Sequence, residues 1–572
     1  MKMKQAGIVE IYELKRRGCE AEDWSKIIVS DTFDPCRVKN VRFIGKVTLG
    51  AIKELSNAII EDCRLSDGCV VRNVQGYLKG LDIGRDVTII DVGSIEMEPE
   101  AACGFGTEVS VLDETGGRPV YLYPGLSAQT AALSSLMPRW NAEILKPLLE
   151  EKWEKKPFSA DIAEGAVIIG CHDIKNVLIG REVKVEGAFR LHNGTIINNA
   201  ASGKGLAYVG LGVDAENFIV EDGYVGGGAL LRNVYVGQGA SLDKGFTAHD
   251  SLFFANSAME NGEACAVLAA PYTVSMHKST LLIGMRTSFM NAGSATNFSN
   301  HRYKLGPVHW GVLDRGVKTA SGAYIMWGGR IGAFSLVMGS HKYHPDTSMF
   351  PYSYLFGDDA GHTTAVPGVM LRSCGLQRDA HKWPIRDKRL KRKMPLHDNV
   401  CYDVLNPATV QTMLRAIPLL RELAHAEPDS EGFVHHGAVK LKPGAAIKGM
   451  RLYSLAITSY LYSRSHEEGY AEADPENAPE EWIDIAGQIV PRTVVQKVLD
   501  PDNEELPTAI LSRAFAEYKT LELAWAKKLA QGEWSDYMKT APQAVVELES
   551  LIEQDREAYK KSLAEELETA SF

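Results

Sequence analysis

Histidines cluster in the middle of this 572-residue chain, and histidine is the side chain best suited to move protons near neutral pH. Seven of the 15 histidines lie between positions 277 and 381. Several stand in irregular polar stretches that also contain asparagine, arginine, lysine and tyrosine, such as NAGSATNFSNHRYKLG at 291–306. Such a combination is typical of a site that binds a polar substrate and takes a proton from it.

His301 and His277 are the two histidines that we expect to act as general bases. His301 stands between Asn300 and Arg302, and His277 precedes Lys278, so each has polar neighbours that could hold a substrate. A histidine accepts a proton readily because its ordinary pKa, about 6.5, lies close to physiological pH. The alternative for either residue is a structural histidine whose hydrogen bonds are satisfied inside the protein.

Polar and basic residues near these histidines, or in a basic run further along, are the predicted substrate-binding residues. They are Asn291, Asn297, Asn300, Arg302, Lys304, Lys278, Arg378 and Lys382. The last two belong to a run of eight lysines and arginines at 378–393, which could hold the phosphates of coenzyme A or of a nucleotide-linked sugar. The alternative for this run is a solvated face or a domain junction.

A further group of histidines has a spacing that metal sites use. His341 and His344 are three residues apart, Asp346 follows, and His362 lies further along. Neutral imidazole is a common ligand of zinc and other divalent metals, so a metal site at His341, His344 and His362 is a second prediction. The other interpretation is a polar loop, because His-x-x-His without a third ligand at a defined distance does not define a site.

The elements that must position these residues are indicated by a period of six. Apolar residues recur every six positions in several series, among them Ile83, Ile89 and Ile95, and Ile179, Val185, Leu191 and Ile197. Between Ile174 and Ile179 the step is five. Neither a helix, with its period of 3.6, nor a two-faced strand, with its period of 2, explains six. A stacked coil does, because each six-residue unit supplies one short strand and one turn.

This pattern resembles the left-handed parallel β-helix of the hexapeptide-repeat superfamily, which includes many acyltransferases. The resemblance covers roughly residues 40–130 and 160–375. It implies that Cys63 and Cys69, six residues apart, are stacked interior residues. The glycine content of the first 400 residues also supports a coil. Residues 1–400 hold 45 of the 52 glycines, and glycine suits tight corners.

The period changes at two places, and the changes divide the chain. We expect an N-terminal cap at 1–39, a first coil segment at 40–135, a helical insertion at 136–159, the main coil with long loops at 160–400, and an α-helical domain at 401–572. The insertion is indicated by Trp140, Ile144 and Leu148 at helical spacing. The helical domain is indicated by Asn406-Pro407, a typical N-cap followed by proline at the first helical position.

Several stretches resemble, more specifically, an uncharacterised bacterial family that joins a left-handed β-helix to a C-terminal helical domain. The matching text includes GCEAEDWS at 18–25, HKSTLLIG at 277–284, SNHRYKLGPVHWG at 299–311 and HKWPIRDKR at 381–389. This resemblance spans nearly the whole chain. It implies an architecture and no established activity.

The superfamily resemblance implies an enzyme that moves an acyl group from an acyl-CoA or acyl-carrier thioester to a sugar-like or amine acceptor, with a histidine as general base. Such coils commonly form homotrimers with sites between subunits, so we expect a homo-oligomer and favour a trimer. Gamma-type carbonic anhydrases hold zinc on the same coil, so a metal-dependent enzyme is one alternative. A non-catalytic scaffold, or one that binds sugar nucleotides, is the other.

Composition excludes several other classes. The net charge of -11 argues against non-specific nucleic-acid binding, and the longest apolar runs are too short for a membrane helix. The first 18 residues carry charges throughout, unlike a secretory signal. The nine cysteines contain no CxxC pair and favour reduced thiols. We therefore expect a cytoplasmic protein with a small-molecule substrate.

Overall fold

Parallel strands wind into a β-solenoid that is followed by C-terminal helices. The computed structural model describes residues 3–153, 158–200, 205–301 and 308–569, without the side chains of 151–153 and 567–569. The predicted fold class is confirmed at the level of a coil plus helices. The left hand of the coil and its membership of the hexapeptide-repeat superfamily stay predictions.

Three ladders of parallel strands form the three faces of the coil. The first ladder contains Glu20–Ala21, Val38–Ile44, Glu54–Glu61, Leu78–Lys79, Ser94–Glu96, Asp173–Ile179, Arg190–Ile197, Asp214–Glu221, Leu230–Val236, Thr247–Phe253, Glu263–Cys265, Leu281–Ile283, Asn297–Phe298, Tyr324–Ile325 and Ser340–His341. The second contains Ile27–Ser30, Val47–Leu49, Arg64–Leu65, Asp82–Ile83, the carboxyl ends of the five long strands from Asp173–Ile179 to Thr247–Phe253, Leu268–Ala269, Met285–Thr287, Gly311–Leu313 and Arg330–Ile331.

The third ladder contains Val70–Val74, Thr88–Val92, Val167–Ile169, Lys184–Glu186, Tyr208–Val209, Tyr224–Val225, Ser241–Asp243, Ala258–Glu260, Val274–Ser275, Asn291–Ala292, Lys318–Thr319, Leu336–Met338 and Tyr354–Gly357. Antiparallel strands close both ends of the coil. Met3–Gln5 pairs with Ile27–Ser30 at the start, and Thr363–Val366 pairs with Tyr354–Gly357 at the end.

Rung length, the number of residues in one circuit of the coil, explains the six-residue period and its five-residue steps. Ile168 pairs with Val185 on the next rung, 17 residues on. The intervening interior residues are Ile174 and Ile179, so the steps are six, five and six. All four side chains are buried, and together with the equivalent residues of other rungs they form one apolar column. Cys63 and Cys69 are also buried, as predicted, and burial raises the pKa of each thiol to about 12.

Asparagines hold one corner of the coil through a ladder of side-chain amides. Asn193 donates to Asn217, Asn217 to Asn233, and Asn233 to Asp250, over 2.7, 2.9 and 3.0 Å. All four residues have positive φ, between 47° and 55°. Asparagine and aspartate tolerate this left-handed conformation better than other residues with a Cβ, so the corner selects them.

An excursion interrupts the coil between Ser94–Glu96 and Val167–Ile169. It begins with an antiparallel hairpin, Glu108–Ser110 and Pro119–Tyr121. Helices α2 (Ala128–Leu136), α3 (Pro138–Trp140) and α4 (Lys146–Trp153), with a π-helical segment Asn141–Leu145, follow. The first of them starts upstream of the predicted insertion at 136–159, because the Ser127 hydroxyl accepts from Thr130 N–H and caps it. The excursion packs on the outside of the coil, against Tyr235 and Phe254.

Helix α1 (Ile8–Arg16) lies near the start of the chain, before the coil. Most of the chain after the coil is helical. Its helices are α5 (Cys374–Arg386), α6 (Lys388–Arg392), α7 (Pro407–His425), α8 (Pro443–Ser465), α9 (Arg492–Val498), α10 (Pro507–Gln531), α11 (Ser535–Met538) and α12 (Ala541–Thr569). Single 3-10 turns lie at Trp24–Lys26, Pro35–Arg37, Val369–Arg372 and Pro475–Asn477. The Asn406 cap is confirmed, because its side chain accepts from Thr409 N–H and forms a capping box.

Two hairpins lie among these helices: Val434–His436 with Val439–Leu441, and Trp482–Ile485 with Gln488–Pro491. The second hairpin and α7 face the second ladder and enclose a cavity there. Within the described ranges, no helix has the length and hydropathy needed to cross a lipid bilayer.

Candidate functional site

His301 lies at a corner of the coil, directly after the first-ladder strand Asn297–Phe298. Its backbone N–H donates to the Ser299 hydroxyl (3.2 Å), which donates in turn to Asn297 Oδ1 (2.7 Å). The Tyr324 hydroxyl on the next rung donates to the Ser299 carbonyl (2.9 Å). These bonds fix the backbone at His301 to two rungs, while 46% of its side chain stays exposed.

Glu114 approaches the His301 ring from the excursion. Its carboxylate Oε1 lies 3.5 Å from His301 Nε2, and 29% of the Glu114 side chain is exposed. Glu114 belongs to the turn of the hairpin Glu108–Ser110/Pro119–Tyr121, which is attached to the coil by the bond from Leu112 N–H to the Ala266 carbonyl (2.8 Å). A carboxylate beside an imidazole orients the ring and stabilises its protonated form, so the pair is suited to general-base catalysis.

Trp327 forms the inner wall of this corner. Its ring lies edge-on to His301, with 5.8 Å between centroids, and 5.3 Å from the ring of His309. Trp327 is fully buried and its indole N–H donates to the Ile283 carbonyl (2.6 Å), while His344 Nδ1 contacts the Trp327 carbonyl. The indole is therefore held rigidly, and it limits the orientations that the His301 ring can take.

Cys265 is a thiol whose electrostatics depend on Glu114. Burial raises its pKa to about 11, and the negative charges of Glu114 and Asp250 add to the effect. Asp250 Oδ2 also lies 2.7 Å from Nδ1 of His249, which pairs with Cys265 across the first ladder. The Cys265 thiol is thus protonated at neutral pH, and a protonated thiol is a poor nucleophile.

His277, the other predicted base, lies at a different corner. It stands between the third-ladder strand Val274–Ser275 and the first-ladder strand Leu281–Ile283, whereas His301 lies between the first and second ladders. His277 and Lys278 are exposed, and Asn291 is exposed on the adjacent rung of the third ladder. The structure therefore places the two predicted general bases at separate corners of the coil. No carboxylate of the described residues pairs with His277.

The predicted metal ligands have other partners. His341 is fully buried, and its ring nitrogens lie within hydrogen-bond distance of the Thr363 hydroxyl and the Met338 carbonyl. The His362 ring stacks on Tyr343 with 4.7 Å between centroids. Across the part of the chain that the structure describes, no three His, Cys, Asp or Glu side chains are grouped to hold a metal ion.

The remaining predicted residues are scattered. Asn300 is buried beside His301, and Asn297 acts on His301 through Ser299. Arg378 and Lys382 lie on α5, where Arg378 pairs with its neighbour Asp379 (3.3 Å). Predicted residues Arg302 and Lys304 lie outside the described residues.

Glu114 is the functional candidate that the sequence did not reveal. It belongs to the segment DETGG at 113–117, whose sequence predicts only a turn. Its contact with His301 depends on how the excursion folds back on the coil, and nothing local encodes that. The sequence did not predict the contact of Trp327 with His301 either, because the sequence neighbours of Trp327 form an ordinary part of the coil.

Two comparisons with known proteins bear on this site. The model of a family described as a domain of unknown function (DUF4954) matches residues 3–424. An uncharacterized protein of Treponema pallidum (strain Nichols) is 21% identical over an alignment 452 residues long, and the match covers 72% of this chain and 60% of that protein. The chain thus spans less than two thirds of the length of that relative. Neither description names an activity.

Proposed function

We propose that this chain, which belongs to the family described as a domain of unknown function (DUF4954), transfers an acyl group from a thioester donor to a polar acceptor. His301 is the general base and Glu114 is the residue that positions its ring. The observation that carries the proposal is the 3.5 Å approach of His301 Nε2 to the Glu114 carboxylate at an exposed corner of the coil. The donor class rests on the resemblance of the coil to hexapeptide-repeat acyltransferases.

The proton transfer follows from the orientation of the His301 ring. Because Nε2 faces Glu114, the neutral ring carries its proton there and leaves Nδ1 as the acceptor. Nδ1 takes the proton of an acceptor hydroxyl or amine as that group attacks the thioester carbonyl. A bond forms between the acceptor atom and the acyl carbon, the carbon–sulfur bond breaks, and the leaving thiolate receives the proton. Glu114 stabilises the imidazolium between these steps.

Direct transfer without an acyl-enzyme fits the electrostatics of the corner. The Cys265 thiol has its pKa raised to about 11 by burial and by the charges of Glu114 and Asp250. It is therefore not available as a thiolate near neutral pH. Donor and acceptor must both be bound when the His301 base acts. The acyl-CoA or acyl-carrier thioester is then a co-substrate and the acceptor is a small polar molecule.

The test is a thioester assay on the full chain. Acyl-CoA and acyl-carrier thioesters are incubated with sugars, nucleotide sugars and amines, and the released thiol is measured. Replacing His301→Gln removes the base and is expected to lower turnover by roughly 100-fold or more. Glu114→Gln keeps the side-chain shape and removes the charge, so it should lower turnover by about 10-fold or more through loss of ring orientation.

The matched control is His277→Gln, since His277 is also an exposed histidine at a corner of the coil. We expect it to retain wild-type turnover, and all three variants to keep the wild-type melting temperature. Equal loss in His277→Gln and His301→Gln would contradict the assignment of the base. Absence of thiol release from every donor and acceptor would refute thioester-dependent transfer.

A further inference from the structure

A cavity of about 420 Å³ lies between the second ladder of the coil and the helical part of the chain. Its coil wall is formed by the adjacent strands Met285–Thr287, Gly311–Leu313 and Arg330–Ile331. Its other wall is formed by α7 and the hairpin Trp482–Ile485/Gln488–Pro491. This volume is within the range of small-molecule sites. None of Glu114, His301 and Cys265 lines it, so the cavity is distinct from the site proposed above.

The charges that line this cavity do not balance. Three arginines each pair with an acidic residue: Arg315 with Asp484 at 2.6 Å, Arg415 with Glu481 at 3.1 Å, and Arg330 with Asp314 at 3.4 Å. A fourth arginine of the lining, Arg286, has no ion pair among the described residues. The lining therefore carries one uncompensated positive charge.

The side chain of Arg286 also lacks a hydrogen bond at a buried atom, because its Nε has no acceptor among the described residues. The Trp482 indole N–H, from the opposite wall, is a second buried donor without an acceptor in the described part of the chain. Buried polar groups are normally hydrogen-bonded, so two such donors on the walls of one cavity point to an acceptor that the described residues do not provide.

Burial lowers the pKa of Arg286, because the charged guanidinium loses solvation there. Asp314 acts on it through space, but the Asp314 carboxylate is already paired with Arg330. A guanidinium in this state gains most from an anion that can accept two parallel N–H bonds, which a carboxylate or a phosphate does.

We propose that this cavity binds a small organic anion whose carboxylate or phosphate group is held by the guanidinium of Arg286. The body of the ligand lies against the apolar part of the lining, which includes Leu136, Val312 and Ile483. The ligand contacts both the coil and the helical part, so its binding joins the two. This binding function goes beyond the proposed acyl transfer and does not depend on it.

The test is calorimetric titration of the full chain, with thermal unfolding as a second readout. The probes are benzoate, phenyl phosphate, inorganic phosphate and the neutral benzyl alcohol, all at equal ionic strength set with chloride. We expect benzoate or phenyl phosphate to bind and to raise the melting temperature, and benzyl alcohol to do neither. Arg286→Met should weaken binding at least about tenfold, by removing the charged fork.

The control is Arg42→Met, which replaces an exposed arginine on the first ladder and should leave binding unchanged. Arg286→Lys provides a second variant if Arg286→Met fails to fold, because it keeps the positive charge without the planar fork, and it should also weaken anion binding. A wild-type chain that responds to none of the anions overturns the proposal, as does undiminished binding in Arg286→Met and Arg286→Lys. Equal affinity for inorganic phosphate and phenyl phosphate would contradict the proposal that the anion carries an organic group that contacts the cavity.

Discussion

His341 is a buried histidine whose surroundings favour its neutral form. The Met338 carbonyl can only accept, so His341 Nε2 carries the proton, and Nδ1 of the neutral ring accepts from the Thr363 hydroxyl at 2.8 Å. Protonating Nδ1 would reverse that bond and place a charge in the protein interior. Burial accordingly lowers the pKa of His341 from 6.5 to about 4.

The pH dependence of stability follows from this shift. Because the unfolded chain binds the proton more tightly, the contribution of His341 is fully present above its ordinary pKa and is lost as pH falls from 6.5 toward 4. Between pH 7 and pH 5 the loss is about 2 kcal/mol. Urea unfolding at the two pH values should show this loss in the wild type, and His341→Gln should lack that component. An identical pH dependence in both proteins would contradict the assignment.

Asn217 shows how one element, the corner of a rung, depends on a single residue type. Its side chain accepts from Asn193 and donates to Asn233, and its φ is 55°. Alanine would lose both amide bonds and would also be strained by the left-handed conformation. Glycine would lose the bonds without the strain.

The two substitutions therefore separate the contribution of the amide hydrogen bonds from that of the left-handed backbone conformation. We expect Asn217→Ala to lower the free energy of unfolding by about 2 to 3 kcal/mol, and Asn217→Gly by about 1 kcal/mol less. Both values come from urea unfolding of the full chain. Equal losses in the two variants would show that the conformation contributes nothing at this corner.

At the scale of the whole molecule, Arg315 joins the coil to the helical part. Its guanidinium donates to Asp484 (2.6 Å), to the Cys401 carbonyl (3.0 Å) and to the Gly487 carbonyl (2.8 Å), and the side chain is 2% exposed. Removing one partner of such a pair leaves buried acceptors without donors. This residue thus fixes how the hairpin at 482–491 meets the second ladder.

Arg315→Met should reduce the free energy of unfolding by about 3 kcal/mol and increase hydrogen exchange in the segment 484–488. The control is Arg415→Met, whose ion pair with Glu481 is more exposed and should contribute less than about 1 kcal/mol. Losses of the same size in both variants would show that Arg315 does not connect the two parts.

The homotrimer that the superfamily resemblance implies stays a prediction about the whole molecule.

The sequence alone determined the features that depend on neighbours along the chain. The six-residue spacing with five-residue steps predicted the coil, because each rung repeats the same inward positions, after 17 residues in the rung from Ile168 to Val185. Asn406-Pro407 predicted the start of α7, because a cap acts within one helical turn. Both signals are local or periodic, and so they survive in a single sequence.

Only the tertiary structure decided which distant residues meet. It brought Glu114 to His301 and left His277 without a carboxylate partner among the described residues, because the excursion packs on one face of the coil. It also placed Arg286 opposite Trp482, across a cavity that neither the coil nor the helices form alone. Such contacts depend on the packing of separate elements, which no spacing within either element encodes.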